Sequence, residues 1–219
     1  VTKGIYKCFG CGRAGNAVNF IMEHESMNYV EALRFLAKKY NIEIVEENIN
    51  PEEAKALNTE RESIHIALNF AARYFHNTLL ETEEGKTIGL SYFKERGFRT
   101  ETLEKFQLGY SPEGRTHFYD AAIKSGLTRE FIVKAGLLSE LENGDVIDRY
   151  RGRVIFPIYN LSGKIIAFAG RVLKTSDRTA KYVNSPETPL FTKGRVLFAL
   201  DKAKRAILDA GHAVICEGQ

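Results

Sequence analysis

The sequence predicts an α+β fold in which helices come first and a basic β-hairpin follows. Apolar residues recur at helical spacing through most of the first 135 positions, and then gather between 153 and 171 into two β-rich runs split by a glycine turn. Charge marks the same place. From Arg149 to Arg195 ten Lys or Arg face two acids, a net +8, whereas the 219-residue chain carries only +3, so the remainder sums to −5. A charge concentrated this way on a mildly acidic scaffold suits a surface that holds phosphates in one place.

Composition bounds the rest. With 44% hydrophobic and 27% charged residues the chain reads as an ordinary globular protein of one large or two modest domains. Apolar runs such as Val154 to Ile158 are far too short to span a bilayer, and no secretory signal pattern opens the chain, which predicts a cytoplasmic protein with no membrane partner. The chain opens at Val1 on GIYKCFGCG and stops at AVICEGQ, so it reads as an internal fragment.

Taken in order, Lys3 to Cys8 reads as a short strand entering the turn CFGCGRAG, and Asn16 caps a helix running to about Glu25. Asn28 with Glu31 forms a capping box for a second helix, whose expected buried face is Val30, Leu33, Phe35, Leu36 and Tyr40. Residues 43–62, with seven glutamates, read as a linker whose later part turns into helix. A long helix over Ser63 to Leu80 buries Ile64, Ala67, Leu68, Ala71, Tyr74, Phe75 and Leu79. Shorter helices are expected over Lys86 to Arg96, stopped by Gly97, over Thr100 to Lys105 with Thr100 as N-cap before a GYSP turn, and over His117 to Lys124 and Thr128 to Ala135. Arg153 to Ile158 and Lys164 to Arg171 form the hairpin around Gly163, and a loop follows. A helix over Asp201 to Ala210 and a buried strand over Ala213 to Cys216 end the chain.

Three motifs carry chemistry. Cys8 and Cys11 have the spacing of two thiolates closing on one zinc, with glycines that let amides turn toward sulfur. Zinc needs four ligands, and the other two are expected upstream of Val1; a redox pair and plain structural thiols stay open as alternatives. In the basic segment Arg151, Arg153, Lys164 and Arg171 alternate with apolar residues, as they would on any half-exposed sheet with a solvated face. Gly170 before Arg171, and Lys181, Tyr182, Asn184 and Lys193 in the following loops, favour a phosphate- and base-binding surface instead. Template strand and triphosphate cannot be separated for any one of them. Finally, VICEGQ delivers Glu217 onto a glycine turn at a strand end, a weak signal by itself.

With those residues assembled, the chain resembles the bacterial DnaG-type DNA primases along essentially its whole length. The resemblance rests on an ordered set: YKCFGCGRAGNAVNFI and EALRFLAKKYNIE, YFKERGF and FQLGYSP, RGRVIFPI and GKIIAFAGR, KYVNSPET and LFTKG, then VICEG. It implies 1–42 as the end of a CHC2-type zinc domain, 43–62 as linker, 63–211 as the amino-terminal part of the primase core, and 212–219 as the start of a Toprim domain. The implied function is template-directed synthesis of short RNA primers on single-stranded DNA from NTPs, and the replicative helicase would be met through a carboxyl-terminal domain absent from this sequence. Cys8 and Cys11 match the second zinc pair, Arg153, Arg171, Lys181, Tyr182, Asn184 and Lys193 the basic motifs, with Arg151 beside them as a further candidate for nucleic-acid or nucleotide binding, and Glu217 the Toprim glutamate, a general acid or base. Gln219 stands where Tyr is commoner. The Mg²⁺ or Mn²⁺ that such transfer needs would be held by acids downstream, so the fragment, expected as a monomer, is expected to bind DNA without making primers. Two other readings remain at this point. One is a non-catalytic, zinc-containing single-stranded DNA-binding module; the other, a topoisomerase or nuclease, leaves the cysteine knuckle and RGRVIFPI unexplained.

Overall fold

The computed structural model describes residues 4–10, 12–25, 27, 29–44, 51–173 and 180–216, with backbone only for 51–54. The Asn28 cap, Cys11, Lys174, Asp177, Arg178, Glu217 and Gln219 lie outside the described residues. The chain divides into two compact units: 1–51 with 159–164 and 199–219, and 52–158 with 165–198.

In the first unit, β1 (Ile5–Lys7) and β2 (Ala14–Asn16) pair antiparallel, with Tyr6 opposite Gly15. Asn16 then starts α1 (Ala17–His24) through a reciprocal pair of bonds: its side chain accepts from the Asn19 amide, while Asn19 accepts from the Asn16 amide. Tyr6 meets Phe20 edge-on at 5.4 Å, fixing the hairpin to the helix. In α2 (Tyr29–Lys39) the buried residues are Ala32 and Ala37; Val30, Leu33, Phe35 and Tyr40 are exposed, so the expected apolar face is displaced onto the alanines. α8 (Leu200–Ala210) belongs to this unit, where Lys204 donates to the Leu161 carbonyl and Lys202 stands 3.7 Å from the Tyr159 ring. Residues 213–216, expected as a buried strand, form none: Val214 and Ile215 are each 82% exposed, and among the described residues no strand pairs with them. A strand exists only through its ladder partner.

The second unit begins with α3 (Pro51–Glu81), so helix already occupies positions 51–62 of the expected linker. Ile64, Ala67, Leu68, Ala71, Phe75 and Leu79 recur on one face and are at most 2% exposed. The chain bends at Thr82 into a π-helical turn (Gly85–Leu90) that runs into α4 (Ser91–Glu95), where one continuous α-helix was expected. Hydroxyls drive the bend: Thr82 donates to the Thr78 carbonyl and in turn accepts from the Gly85 amide. α4 closes with the Gly97 amide on Lys94 and the Phe98 amide on Phe93, Gly97 taking φ +77°, while the Phe93 and Phe98 rings meet at 5.3 Å. This double closure is what YFKERGF encodes.

α5 (Thr100–Lys105) has Arg99 rather than Thr100 at its N-cap. GYSP is not a turn but contributes β3 (Gly109–Ser111), the edge of a four-stranded sheet ordered β3-β6-β7-β8. β6 (Arg153–Tyr159) and β7 (Ile165–Val172) are the expected hairpin, and β8 (Tyr182–Asn184), expected as loop, pairs antiparallel with β7. Their inner residues are buried on both faces. On one face Phe156 meets Phe93 at 5.8 Å; on the other Phe168 meets Phe75 at 5.8 Å.

α6 (His117–Lys124) and α7 (Arg129–Lys134) follow β3, and a small hairpin of β4 (Leu138–Glu140) and β5 (Val146–Asp148), not anticipated, completes the unit. Asp148 at the end of β5 caps α6 from thirty residues away: its carboxylate accepts from the Phe118 and Tyr119 amides at 2.8 and 3.0 Å. Burial nonetheless prevails over those bonds, with Asp120 adding to it and His117 opposing it, and pushes the carboxyl up to about 6. A raised acid contributes stability below its ordinary pKa and loses it as pH rises through the folded value. Urea midpoints are therefore expected to fall between pH 4 and pH 7, and Asp148→Asn should flatten that dependence; an unchanged profile in the variant would assign it to another group.

Candidate nucleic-acid interface

Because the central sheet is covered on both faces, its cations cannot form a solvated face; they collect at strand ends and in flanking loops. Three of the ten basic residues spend their guanidinium groups on the main chain. Arg149 donates to Leu138 O at 3.4 Å, Arg151 to Asp148 O at 2.9 Å, and Arg153 to the carbonyls of Arg151 and Ala180. Arg153 is only 9% exposed, and burial and then Arg151 draw its pKa down. Its place in the structure is against Ala180, two residues before β8.

Gly170 is explained by the same packing. A Cβ there would stand 2.8 Å from the Tyr150 ring and 3.0 Å from the Arg153 side chain, so the close approach is made by the protein's own side chains. Tyr150 is fully buried; its hydroxyl, pushed up to about 12 by burial, lies 2.8 Å from Ser185 Oγ, which accepts from the Phe168 amide. Ser185 thereby pins the KYVNSPE segment, fixing the register in which Tyr182 faces Arg171 and Asn184 faces Ala169.

Outward from that pin lies the cationic edge. Arg171 stands 5.5 Å from the Tyr182 ring and 5.3 Å from the Tyr92 ring, and Arg96 stands 5.0 Å from Tyr92. The expected base-stacking ring, Tyr182, thus already carries a guanidinium. Lys181 and Asn184 are exposed beside it. Lys193, in a single 3₁₀ turn (Lys193–Arg195), is exposed as well, its amide donating to Glu187. Tyr92 and Arg96 were not among the expected site residues. Their signal in the sequence was an aromatic and a cation four apart at a helix end, which any amphipathic helix shows.

In the first unit Cys8 sits at the exposed end of β1, in a turn closed by Cys8 N on Arg13 O at 2.7 Å and Gly12 N on Cys8 O at 2.9 Å. A thiolate held so at a hairpin tip fits one zinc ligand. His24 stacks on Phe20 and bonds Glu25. Among the described residues no three carboxylate, histidine or cysteine side chains converge, so that part of the chain frames no complete divalent-metal site.

Residues 74–204 match the family model for the DNA primase catalytic core, N-terminal domain, and residues 1–52 match that for the CHC2 zinc finger. The chain belongs to the bacterial DNA primases. Among the family, the DNA primase of Listeria monocytogenes is 38% identical over 99% of the chain, and that of Halalkalibacterium halodurans 41% over 99%. The chain spans 35% of the length of each of these two relatives. Of the solved primases, the zinc-binding and RNA polymerase domains of the Aquifex aeolicus protein cover the whole chain at 32% identity and TM-score 0.64, with half of that chain matched. The RNA polymerase domain of the Mycobacterium tuberculosis primase, in complex with a double-stranded DNA oligomer carrying a 6-nucleotide overhang, covers 72% of the chain and 49% of its own at 32% identity and TM-score 0.66. The CHC2 match supports zinc binding by the family's first domain, to which Cys8 belongs.

Proposed function

We propose that the edge formed by Arg171, Lys181, Tyr182, Asn184 and Lys193 holds single-stranded DNA template, and with it NTPs, for primer synthesis by a polypeptide of the relatives' length. The observation that carries this reading is Arg171, held between two rings with no carboxylate partner among the described residues, whereas Arg13, Arg129 and Arg205 each have one. A solved primase catalytic domain bound to single-stranded DNA, 30% identical with TM-score 0.60, supports it. Arg151 and Arg153 act in this reading by shaping the loop beneath the edge. Glu217 serves as general acid or base, Cys8 and Cys11 hold zinc with ligands from outside this sequence, and Mg²⁺ or Mn²⁺ is held beyond the described residues. The helicase is a partner of the longer polypeptide, which acts as a cytoplasmic, nucleoid-associated monomer.

The test is binding of a labelled oligodeoxythymidylate followed by anisotropy across a salt series. Arg171→Ala and Lys181→Ala are each expected to lower the slope of log K against log salt by about 0.7, the single-strand value for one phosphate. Unchanged affinity and slope in both variants would remove the edge from DNA binding.

A further inference from the structure

Asn143 is the only asparagine of the chain that glycine follows, and the pair stands at the tip of the β4–β5 hairpin, where residues 142–145 are all exposed. Its carboxamide is folded back onto the residues after it. Oδ1 accepts from the Asp145 amide at 3.1 Å, and Nδ2 donates to Asp145 Oδ2 at 2.7 Å. Gly144 is enclosed by those two bonds, which keep the Asn143 Cγ close to the Gly144 amide nitrogen. Gly144 takes φ +82°, and a Cβ there would meet nothing within 4 Å, so no side chain obstructs an approach of that nitrogen to Cγ.

Each group of Asp145 has a use in such an attack. Its amide faces the oxygen on which negative charge would grow, as an oxyanion donor does. Its carboxylate already touches the nitrogen that would leave, placed to carry to it the proton lost by the Gly144 amide. One bond opposes the step: the Gly144 amide donates to Leu141 O at 2.9 Å, a single turn bond at an exposed tip, where opening costs little. Asn184, which precedes Ser185, is held differently. There the following amide donates to Phe168 O at 2.9 Å beside a side chain that is entirely buried.

We propose that Asn143–Gly144 is a site of spontaneous covalent modification in the folded chain, with Asp145 as its proton carrier. The bond from Gly144 N to Asn143 Cγ forms, the Cγ–Nδ2 bond breaks, and ammonia leaves with the proton taken from the Gly144 amide. Water then opens the cyclic imide at either carbonyl, giving aspartate with the main chain restored or isoaspartate with the main chain rerouted through Cγ; nothing is oxidised or reduced. Either product sets a new carboxylate between Glu142 and Asp145. Isoaspartate also lengthens the main chain at the turn where Leu141 N donates to Asp145 O at 2.8 Å and Arg129 donates to Gly144 O at 2.7 Å. Because β5 ends at Asp148, a loosened tip weakens the cap on α6 and makes stability depend on the age of the chain.

The deciding measurement incubates the whole chain at neutral pH in heavy-oxygen water and maps its peptides by mass spectrometry, with isoaspartate counted by enzymatic methyl transfer. Wild type, Asn143→Gln and Asp145→Asn are compared, each folded and in denaturant, with thermal melting as a check on folding. Folded wild type is expected to take up heavy oxygen in the peptide bearing Asn143 and none in that bearing Asn184. Asn143→Gln should take up none, since its longer side chain must close a larger and slower ring. Asp145→Asn keeps the main-chain amide and a side-chain acceptor but no base; it should convert about tenfold more slowly than wild type when folded, and at the wild-type rate in denaturant. A folded wild type that takes up no heavy oxygen at Asn143 overturns the proposal, whatever the denatured chain does. Equal folded rates in wild type and Asp145→Asn overturn the part assigned to Asp145.

Discussion

Phe75→Ala is expected to destabilise the second unit by about 3–5 kcal/mol, the range for emptying a buried aromatic position. Phe75 is 2% exposed, and its ring lies 5.3 Å from Phe118, 5.8 Å from Phe168 and 6.2 Å from Tyr150. Three elements, α3, α6 and the central sheet, therefore meet on one side chain, as does the Tyr150 that reaches Ser185. The surroundings resist collapse into the void because Gly109 on β3 already abuts the Phe75 backbone, with 2.8 Å from its would-be Cβ to the Phe75 carbonyl carbon. At about 2–4 °C per kcal/mol for a chain of this size, melting should fall by about 6–20 °C. A loss under 1 kcal/mol in denaturant titration would mean that the rings are held by their other contacts.

The second large effect is expected at Gly85→Ala. A Cβ at Gly85 would stand 1.8 Å from the Thr78 carbonyl oxygen and 2.9 Å from the Leu79 Cα, all main-chain atoms that no rotamer change can move. The π-helical turn must then open, at the upper end of the 1–3 kcal/mol typical of overpacking. The damage travels forward, because this turn sets the phase of α4 and thereby where Tyr92 and Arg96 point. Gly85→Ala should therefore lower both the melting temperature and the salt slope of DNA binding. Gly97 lies at the far end of the same helix and faces open space. Loss of stability at Gly85 with an unchanged slope would show that α4 keeps its phase without the π turn.

Much of this architecture was legible in the chain because it is local. Asn16, Gly97 and the spacing of Ile64 through Leu79 each dictate a cap, a stop or a buried face within a few residues. What escaped depends on partners far away. GYS and YVN become strands only because β6 and β7 lie beside them, and the alternation of Arg153, Phe156 and Arg171 resembles a half-solvated sheet until helices cover both faces. The Val30–Tyr40 stripe differs for a related reason: apolar spacing predicts a buried face, but packing in α2 selects Ala32 and Ala37. At the candidate site, composition located Arg171, Lys181 and Tyr182. It did not assign the guanidinium of Arg153 to carbonyls, which depends on where Ala180 passes, nor Tyr92 and Arg96 to the cationic edge, which depends on how α4 docks on the sheet.

Ser185 has no direct role at that edge, being entirely buried against Tyr150 and the Phe168 amide. Yet sliding β8 by one residue would draw Asn184 into the interior and turn Tyr182 away from Arg171. A hydroxyl buried away from that edge therefore works as a vernier for the proposed binding surface. Natural variation at position 185 should accordingly be constrained by what the neighbouring side chains must touch, and the affinity proposed for DNA would become a heritable consequence of how one strand is indexed against the core.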